Sequence, residues 1–188
     1  GVRPPDDGFL EYLREITSLN GSLLIFDEVI TGFRLSLGGA QEFFGVTPDL
    51  TCLGKIIGGG FPIGAFGGRS KIMDLVAPLG GVYQAGTLSG NPVGVTAGIT
   101  TIELLKKNKP YAELDKKAEK LSDGIEGIAK NLDLNVKVDR VGSIFSIFFS
   151  NALKQQDATI FKKFFHGMLK NGIYFSPSGF EANFLSSA

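Results

Sequence analysis

Leu23-Leu24-Ile25-Phe26-Asp27-Glu28 is the stretch on which the fold reading turns. Four apolar residues follow one another without polar alternation, the pattern of a strand covered on both faces in a parallel sheet flanked by helices. Two carboxylates stand at its carboxyl end, where open α/β sheets place their ligands. A helix precedes it: Phe9, Leu10, Leu13, Ile16 and Leu19 fall at helical spacing, Asp6 or Asp7 offers a cap, and Asn20-Gly21 a stop. Helix followed by buried strand predicts an α/β fold.

Outward from there, Leu50-Thr51-Cys52-Leu53 reads as a second strand, and glycine, 26 residues in all, crowds the region from Gly54 to Gly94. That density calls for tight turns or for close approach of backbone to a ligand. Asn91-Pro92 has the cap and first-position proline of a helix, which its apolar run through Leu105 predicts to be buried. From about Pro110 the character changes. Leu114, Ala118, Leu121, Ile125 and Ile128 alternate steps of four and three among Lys, Glu and Asp, the pattern of an amphipathic surface helix. Val136, Val138 and Ile144 to Phe149 read as strands, and Ile173-Tyr174-Phe175 as a last one. Phe161, Phe164, Phe165, Met168 and Leu169 form a stripe, read as core because it repeats at helical spacing and no basic residues interleave on an exposed face. The boundary falls between residues 1–108 and 109–188.

With 188 residues, 43% hydrophobic and 20% charged, the chain has the composition of a globular protein. Its 19 basic and 19 acidic residues cancel, which argues against nucleic acid or an anionic membrane as partner. Cys52 is the one cysteine and His166 the one histidine, so neither an internal disulfide nor a Cys/His metal cluster is available, and a reducing compartment fits. No apolar run approaches the ~20 residues that span a bilayer, and Gly-Val-Arg-Pro-Pro-Asp-Asp lacks the apolar core of a secretory signal. The start without methionine is read as that of a processed or truncated product.

Two chemistries use an acidic pair at a strand end. A P-loop ATPase needs G-x-x-x-x-G-K-[ST] as its counterpart. Gly54-Lys55 matches that only in part, since Asp49 stands at the first glycine and Ile56 at the Ser/Thr. In a pyridoxal-phosphate (PLP) enzyme, Asp27 would keep the pyridine nitrogen protonated and a lysine would carry the cofactor as an imine. Lys55, after a strand and before glycines, is the candidate. Taken singly, an Asp there is commonly a turn residue and a Lys a solvated charge.

Three longer motifs occur in order: Asp-Glu-Val-Ile-Thr-Gly-Phe-Arg (Asp27 to Arg34), the stretch from Thr47 to Arg69 around Leu-Gly-Lys-Ile-Ile-Gly-Gly-Gly-Phe-Pro, and Tyr-Gln-Ala-Gly-Thr-Leu-Ser-Gly-Asn-Pro (Tyr83 to Pro92). Together they resemble the class III aminotransferases over nearly the whole chain. Within that family they are most similar to the aminomutases that act on glutamate-1-semialdehyde, and Phe175 to Glu181 resembles the ending of that branch.

The resemblance implies an α/β chain of PLP fold type I, with residues 1–108 as part of a large, mostly parallel-sheet domain and 109–188 as a smaller α+β domain. It implies PLP, and its pyridoxamine form during turnover, as cofactor. Lys55 would be the imine-forming and proton-carrying lysine, Asp27 the partner of the pyridine nitrogen, and Val29 a neighbour of the ring face. Thr87, with backbone N–H groups beside Gly86, would bind cofactor phosphate across a homodimer interface, and Glu181 would line the substrate entrance. The implied reaction moves an amino group within glutamate-1-semialdehyde to give 5-aminolevulinate, in the cytoplasm or in a plastid stroma.

Two other readings stand beside this one. An ordinary class III transaminase shares Asp27, Lys55 and Thr87 but exchanges amino groups between two substrates. The other is a non-catalytic folded fragment. Members of the family place a phosphate-binding turn, a ring-stacking aromatic and substrate-carboxylate contacts before the Asp motif. The chain therefore reads as the second half of a longer enzyme, with exposed strand edges and a weakened or absent PLP site expected.

Overall fold

The computed structural model describes residues 1–149 and 157–187. The chain divides into two units, Pro5–Lys109 and Gly1–Pro4 together with Pro110–Ala188.

The first unit opens with helix α1 (Phe9–Leu19). Neither aspartate caps it: the cap position is Gly8, in the left-handed region, with no side-chain bond, and Phe9 N–H donates instead to the Asp6 carbonyl. Asn20 closes the helix as the sequence predicts, its side-chain amide donating to the Ile16 carbonyl at 2.8 Å. Strand β1 (Ile25–Glu28) runs parallel to β2 (Leu50–Leu53), and β3 (Ala65–Gly68) lies antiparallel on the other side of β2. The reversal follows from the link between β2 and β3, a glycine-rich loop with one 3-10 turn rather than the helical crossover a parallel neighbour requires.

β1 departs from the two-sided burial its apolar run predicts. Leu24 and Glu28 are buried on one face, but Ile25 on the other is 54% exposed, because that face of β1 is uncovered among the described residues. At the amino ends of β1 and β2 the sheet is locked by buried Asp49. Its carboxylate accepts the Leu24 N–H at 2.8 Å and pairs with Arg14 of α1 at 2.9 Å and with Arg69, just after β3, at 3.0 Å. The Leu24 hydrogen bond, helped by the two guanidinium groups and opposed by burial, holds the Asp49 carboxyl below the usual range.

Two short helices, α2 (Gly39–Phe44) and α3 (Ser70–Met73), flank the sheet, and α4 (Pro92–Asn108) completes the unit. Asn91 caps α4 as predicted, accepting the Gly94 N–H at 2.8 Å. The predicted burial of α4 is corrected: only Gly94 and Gly98 are buried, and Val93, Val95, Ile99 and Leu104 are exposed. The helix packs most closely through its glycines and leaves these four branched residues uncovered, with Ile102 and Leu105 half-buried.

In the second unit α5 (Tyr111–Asn131) is the amphipathic helix of the sequence reading, with Leu114 and Ala118 buried. Strands β4 (Lys137–Val141), β5 (Ile144–Phe148) and β6 (Asn183–Phe184) form an antiparallel sheet in that order, and α6 (Ala158–Lys170) is capped by Asp157. Ile173-Tyr174-Phe175 is not a strand. Ser176 N–H donates to the Asn183 side chain at 2.8 Å, and the partner of β5 is β6, so this segment contributes a side chain to the core rather than a rung to the sheet. The core itself is aromatic, as the stripe predicts. Phe145, Ile147, Phe149 and Phe175 are buried and covered by Phe161, Phe164 and Met168, with Phe164 lying 5.0 Å from Phe149 and 5.3 Å from Phe175 between ring centres.

Candidate active site

β1 and β2 are parallel neighbours, so the residues that leave their carboxyl ends emerge on the same edge of the sheet. Asp27, Glu28 and Val29 come from β1, Gly54 and Lys55 from β2. Strand alternation separates the two carboxylates of the acidic pair.

Glu28 is 1% exposed. One of its oxygens accepts the Thr31 hydroxyl at 3.0 Å and the Ala40 N–H; the other accepts the Gln41 N–H at 3.1 Å and the Gln41 side-chain amide at 3.0 Å. Both oxygens are thus consumed by protein donors. A carboxylate so occupied anchors the loop after β1 to the first turn of α2 and is not free to hold magnesium or water, which removes the ATPase-like meaning of the pair. Gly39 belongs to the same anchor. Its φ is +74°, and a Cβ there would stand 2.2 Å from the Glu28 oxygen, so this position excludes any side chain.

Asp27 is the exposed member. Its Oδ1 accepts the Val29 N–H at 3.0 Å, while Oδ2 has no hydrogen-bond partner among the described residues. One oxygen fixed and one open is the state needed to receive a proton-bearing ring nitrogen. Val29 then packs on the segment that leads into Lys55: a Cβ at Gly54 would come within 3.1 Å of its methyl group. Lys55 is exposed and begins the 3-10 turn Lys55–Gly58 with φ +51°, a left-handed backbone uncommon for a residue with a side chain. The acceptor, the apolar neighbour and the amine fit an aromatic aldehyde cofactor carrying a basic ring nitrogen.

Gly86 and Thr87 lie in an exposed turn in which Ser89 N–H donates to the Gly86 carbonyl at 2.9 Å. The Thr87 hydroxyl has no hydrogen-bond partner among the described residues. The turn leads directly into the Asn91 cap of α4, and Tyr83, Leu88 and Val93 around it are exposed. Glu181 belongs to the second unit. Its carbonyl accepts the Ser146 hydroxyl at 3.1 Å, its N–H donates to the Ser178 carbonyl at 3.1 Å, and its side chain is solvent-exposed. Sequence reasoning missed Thr31, Gln41 and Gly39, which hold Glu28, and the Arg14-Asp49-Arg69 lock. Among the described residues no group of His, Cys, Asp and Glu could hold a metal ion, and no helix is long and apolar enough to cross a membrane.

The fold that presents this sheet edge is shared with solved transaminases. An omega-transaminase from Sphaerobacter thermophilus superimposes with a TM-score of 0.88 at 35% identity, over 99% of this chain and 44% of that one. The chain belongs to the class III aminotransferase family, whose profile matches residues 1–186. It is 54% identical over 196 residues to the glutamate-1-semialdehyde 2,1-aminomutase of Opitutus terrae, covering 100% of this chain and 46% of that protein. A lysine-to-alanine variant of a glutamate-1-semialdehyde aminomutase from Pseudomonas aeruginosa PAO1, solved in complex with PMP, matches with a TM-score of 0.80 at 26% identity, over 94% of this chain and 43% of that one. The chain thus spans under half the length of the relatives it matches.

Proposed function

We propose that this chain supplies the Lys55 and Asp27 side of a PLP-dependent aminomutase, an isomerase that converts glutamate-1-semialdehyde to 5-aminolevulinate for tetrapyrrole synthesis. The observation that carries the reading is the departure of Asp27 and Lys55 from adjacent carboxyl ends of parallel β1 and β2, with Asp27 Oδ2 open. When bound, the cofactor supplies an electron sink for the carbon losing a proton and, in its pyridoxamine form, the amino group that is moved.

The chain's own residues would do the rest. Asp27, fixed through Oδ1 by Val29 N–H, holds the ring nitrogen in its protonated state through Oδ2. Val29 supplies the apolar contact to the ring and so excludes water from one face. Lys55 Nζ anchors the cofactor at rest and, once displaced, takes a proton from one carbon and returns it to another. The Thr87 hydroxyl, with the N–H groups beside Gly86, offers short donors of the kind phosphate favours, and in a homodimer it serves the partner subunit's cofactor. Glu181 lines the substrate entrance. In this reading residues 1–108 belong to the cofactor-binding domain and 109–188 to the smaller domain, and the enzyme works in the cytoplasm.

An intermolecular transaminase is the second reading, favoured by the TM-score of 0.88 to an omega-transaminase. Product analysis without added keto acid separates the two. Conversion of glutamate-1-semialdehyde to 5-aminolevulinate, abolished by Lys55→Ala, supports the aminomutase. Turnover only in the presence of a second amino acceptor contradicts it.

A further inference from the structure

Nothing in the roles assigned above explains how Lys55 is held in its left-handed conformation. The 3-10 turn that it opens lies against one face of α4, and the two meet backbone to backbone. A Cβ at Gly98 would fall 2.3 Å from the Ile57 carbonyl oxygen. A Cβ at Gly59, itself at φ +57°, would fall 2.5 Å from the Thr101 hydroxyl and 2.6 Å from the Ala97 carbonyl. One turn earlier on α4, a Cβ at Gly94 would fall 2.6 Å from Ile63 Cδ1. Gly94, Ala97, Gly98 and Thr101 share a face by their spacing of three and four. Ile57, whose carbonyl rests on Gly98, donates its N–H across Lys55 to the Gly54 carbonyl at 3.3 Å, and Gly59 N–H closes the turn on the Ile56 carbonyl at 3.0 Å. Gly54 in turn is packed by Val29, next to Asp27.

We propose that Gly98 and Gly94 of α4 are positioning residues for Lys55: they form the groove into which the Lys55–Gly58 turn is pressed, and this fit sets where the ammonium emerges relative to Asp27. The inference rests on the reading of Lys55 as the cofactor-binding lysine and adds the element that orients it. Alanine is a better helix former than glycine, so Gly98→Ala favours α4 taken alone. Any loss comes from the displaced turn.

The test incubates the chain with PLP, reduces with borohydride and quantifies the modified lysines by peptide mapping, alongside circular dichroism and the thermal midpoint. In the wild type the label falls on Lys55. Gly98→Ala is expected to lower labelling of Lys55 by about tenfold or more, since displacement of a reacting group by roughly 1 Å costs factors of this size, while labelling of other lysines is unchanged. Gly94→Ala is expected to lower it too, and Gly94→Ala with Ile63→Ala to restore it, because the second change removes the atoms the new methyl strikes. A purely structural role would lower the thermal midpoint of the glycine variants while the folded protein labels Lys55 as the wild type does. Gly127→Ala, in α5 with nothing within 4 Å of the new methyl, serves as the control. Wild-type labelling away from Lys55 overturns the functional reading and this inference with it. Lys55 labelled in the glycine variants as in the wild type overturns the positioning role alone. If Gly98→Ala fails to fold, the Gly94 and Ile63 pair decides.

Discussion

Glu28→Gln tests the anchor beneath the site with the smallest change of shape. Four donors converge on the carboxylate, two per oxygen, and two of them, Ala40 N–H and Gln41 N–H, are fixed backbone groups that sit on different oxygens. Glutamine must turn its NH2 toward one side or the other. Toward Thr31 and Ala40, the hydroxyl can rotate to accept, but Ala40 N–H is left facing a donor. Toward Gln41, that residue's side chain can flip, its oxygen then accepting from the new NH2 and from the Thr51 hydroxyl, but its backbone N–H is still left unpaired. Either way one buried backbone donor loses its acceptor, at about 1–3 kcal/mol, and the remaining bonds lose their charge assistance. The expected destabilisation is about 2–3 kcal/mol in urea denaturation of the chain followed by far-ultraviolet circular dichroism. A loss below about 0.5 kcal/mol, the scatter of ordinary surface substitutions, would refute the account of Glu28 as a fully engaged anchor.

Gly39→Ala should cost at least as much as Glu28→Gln, because the methyl would overlap the carboxylate at 2.2 Å and φ +74° disfavours any side chain; urea midpoints compare the two. Phe145→Ala, which opens the second unit's core at a site 2% exposed, should destabilise by about 3–5 kcal/mol, read from the same denaturation curves. For Asp49 the folded carboxyl sits below its ordinary value, so its stabilisation is complete above about pH 4 and is lost as pH falls through the lowered folded value. Urea midpoints measured downward from about pH 6 should fall less steeply for Asp49→Asn than for the wild type.

Much of the fold could be read from spacing. The apolar periods of α1, α5 and α6 and the short runs of β1, β2 and β5 each mark an element that forms, and the Asn91-Pro92 start of α4 is where the helix begins. Apolarity, however, says nothing of what covers a residue. α4 is rich in Val, Ile and Leu, yet its packed face is glycine, and Ile25 of β1 lies on an uncovered side. The candidate site divides in the same way. Asp27 and Lys55 could be named because residue type, strand ends and family motifs agree. The separate fates of Asp27 and Glu28 follow from alternation once β1 is known to be a strand. Gly39 could not be distinguished from the many other glycines, since what forbids a side chain there is a carboxylate eleven residues earlier in the chain. Asp49 looked like a failed motif position. Its partners Arg14 and Arg69 are distant in sequence and meet it only in the folded sheet. Ile173-Tyr174-Phe175 has strand composition but spends its aromatic residue on the core.

The most direct measurement is made on the unmodified chain and on Asp27→Asn and Lys55→Ala: absorbance titration with PLP, then borohydride reduction and mass mapping of every lysine. Saturable binding with the label confined to Lys55, lost in Lys55→Ala and weakened in Asp27→Asn, is the outcome that follows from Lys55 and Asp27 forming the two fixed points of a cofactor site. Label scattered over surface lysines such as Lys106, Lys107 and Lys162, and unchanged by either substitution, would contradict it.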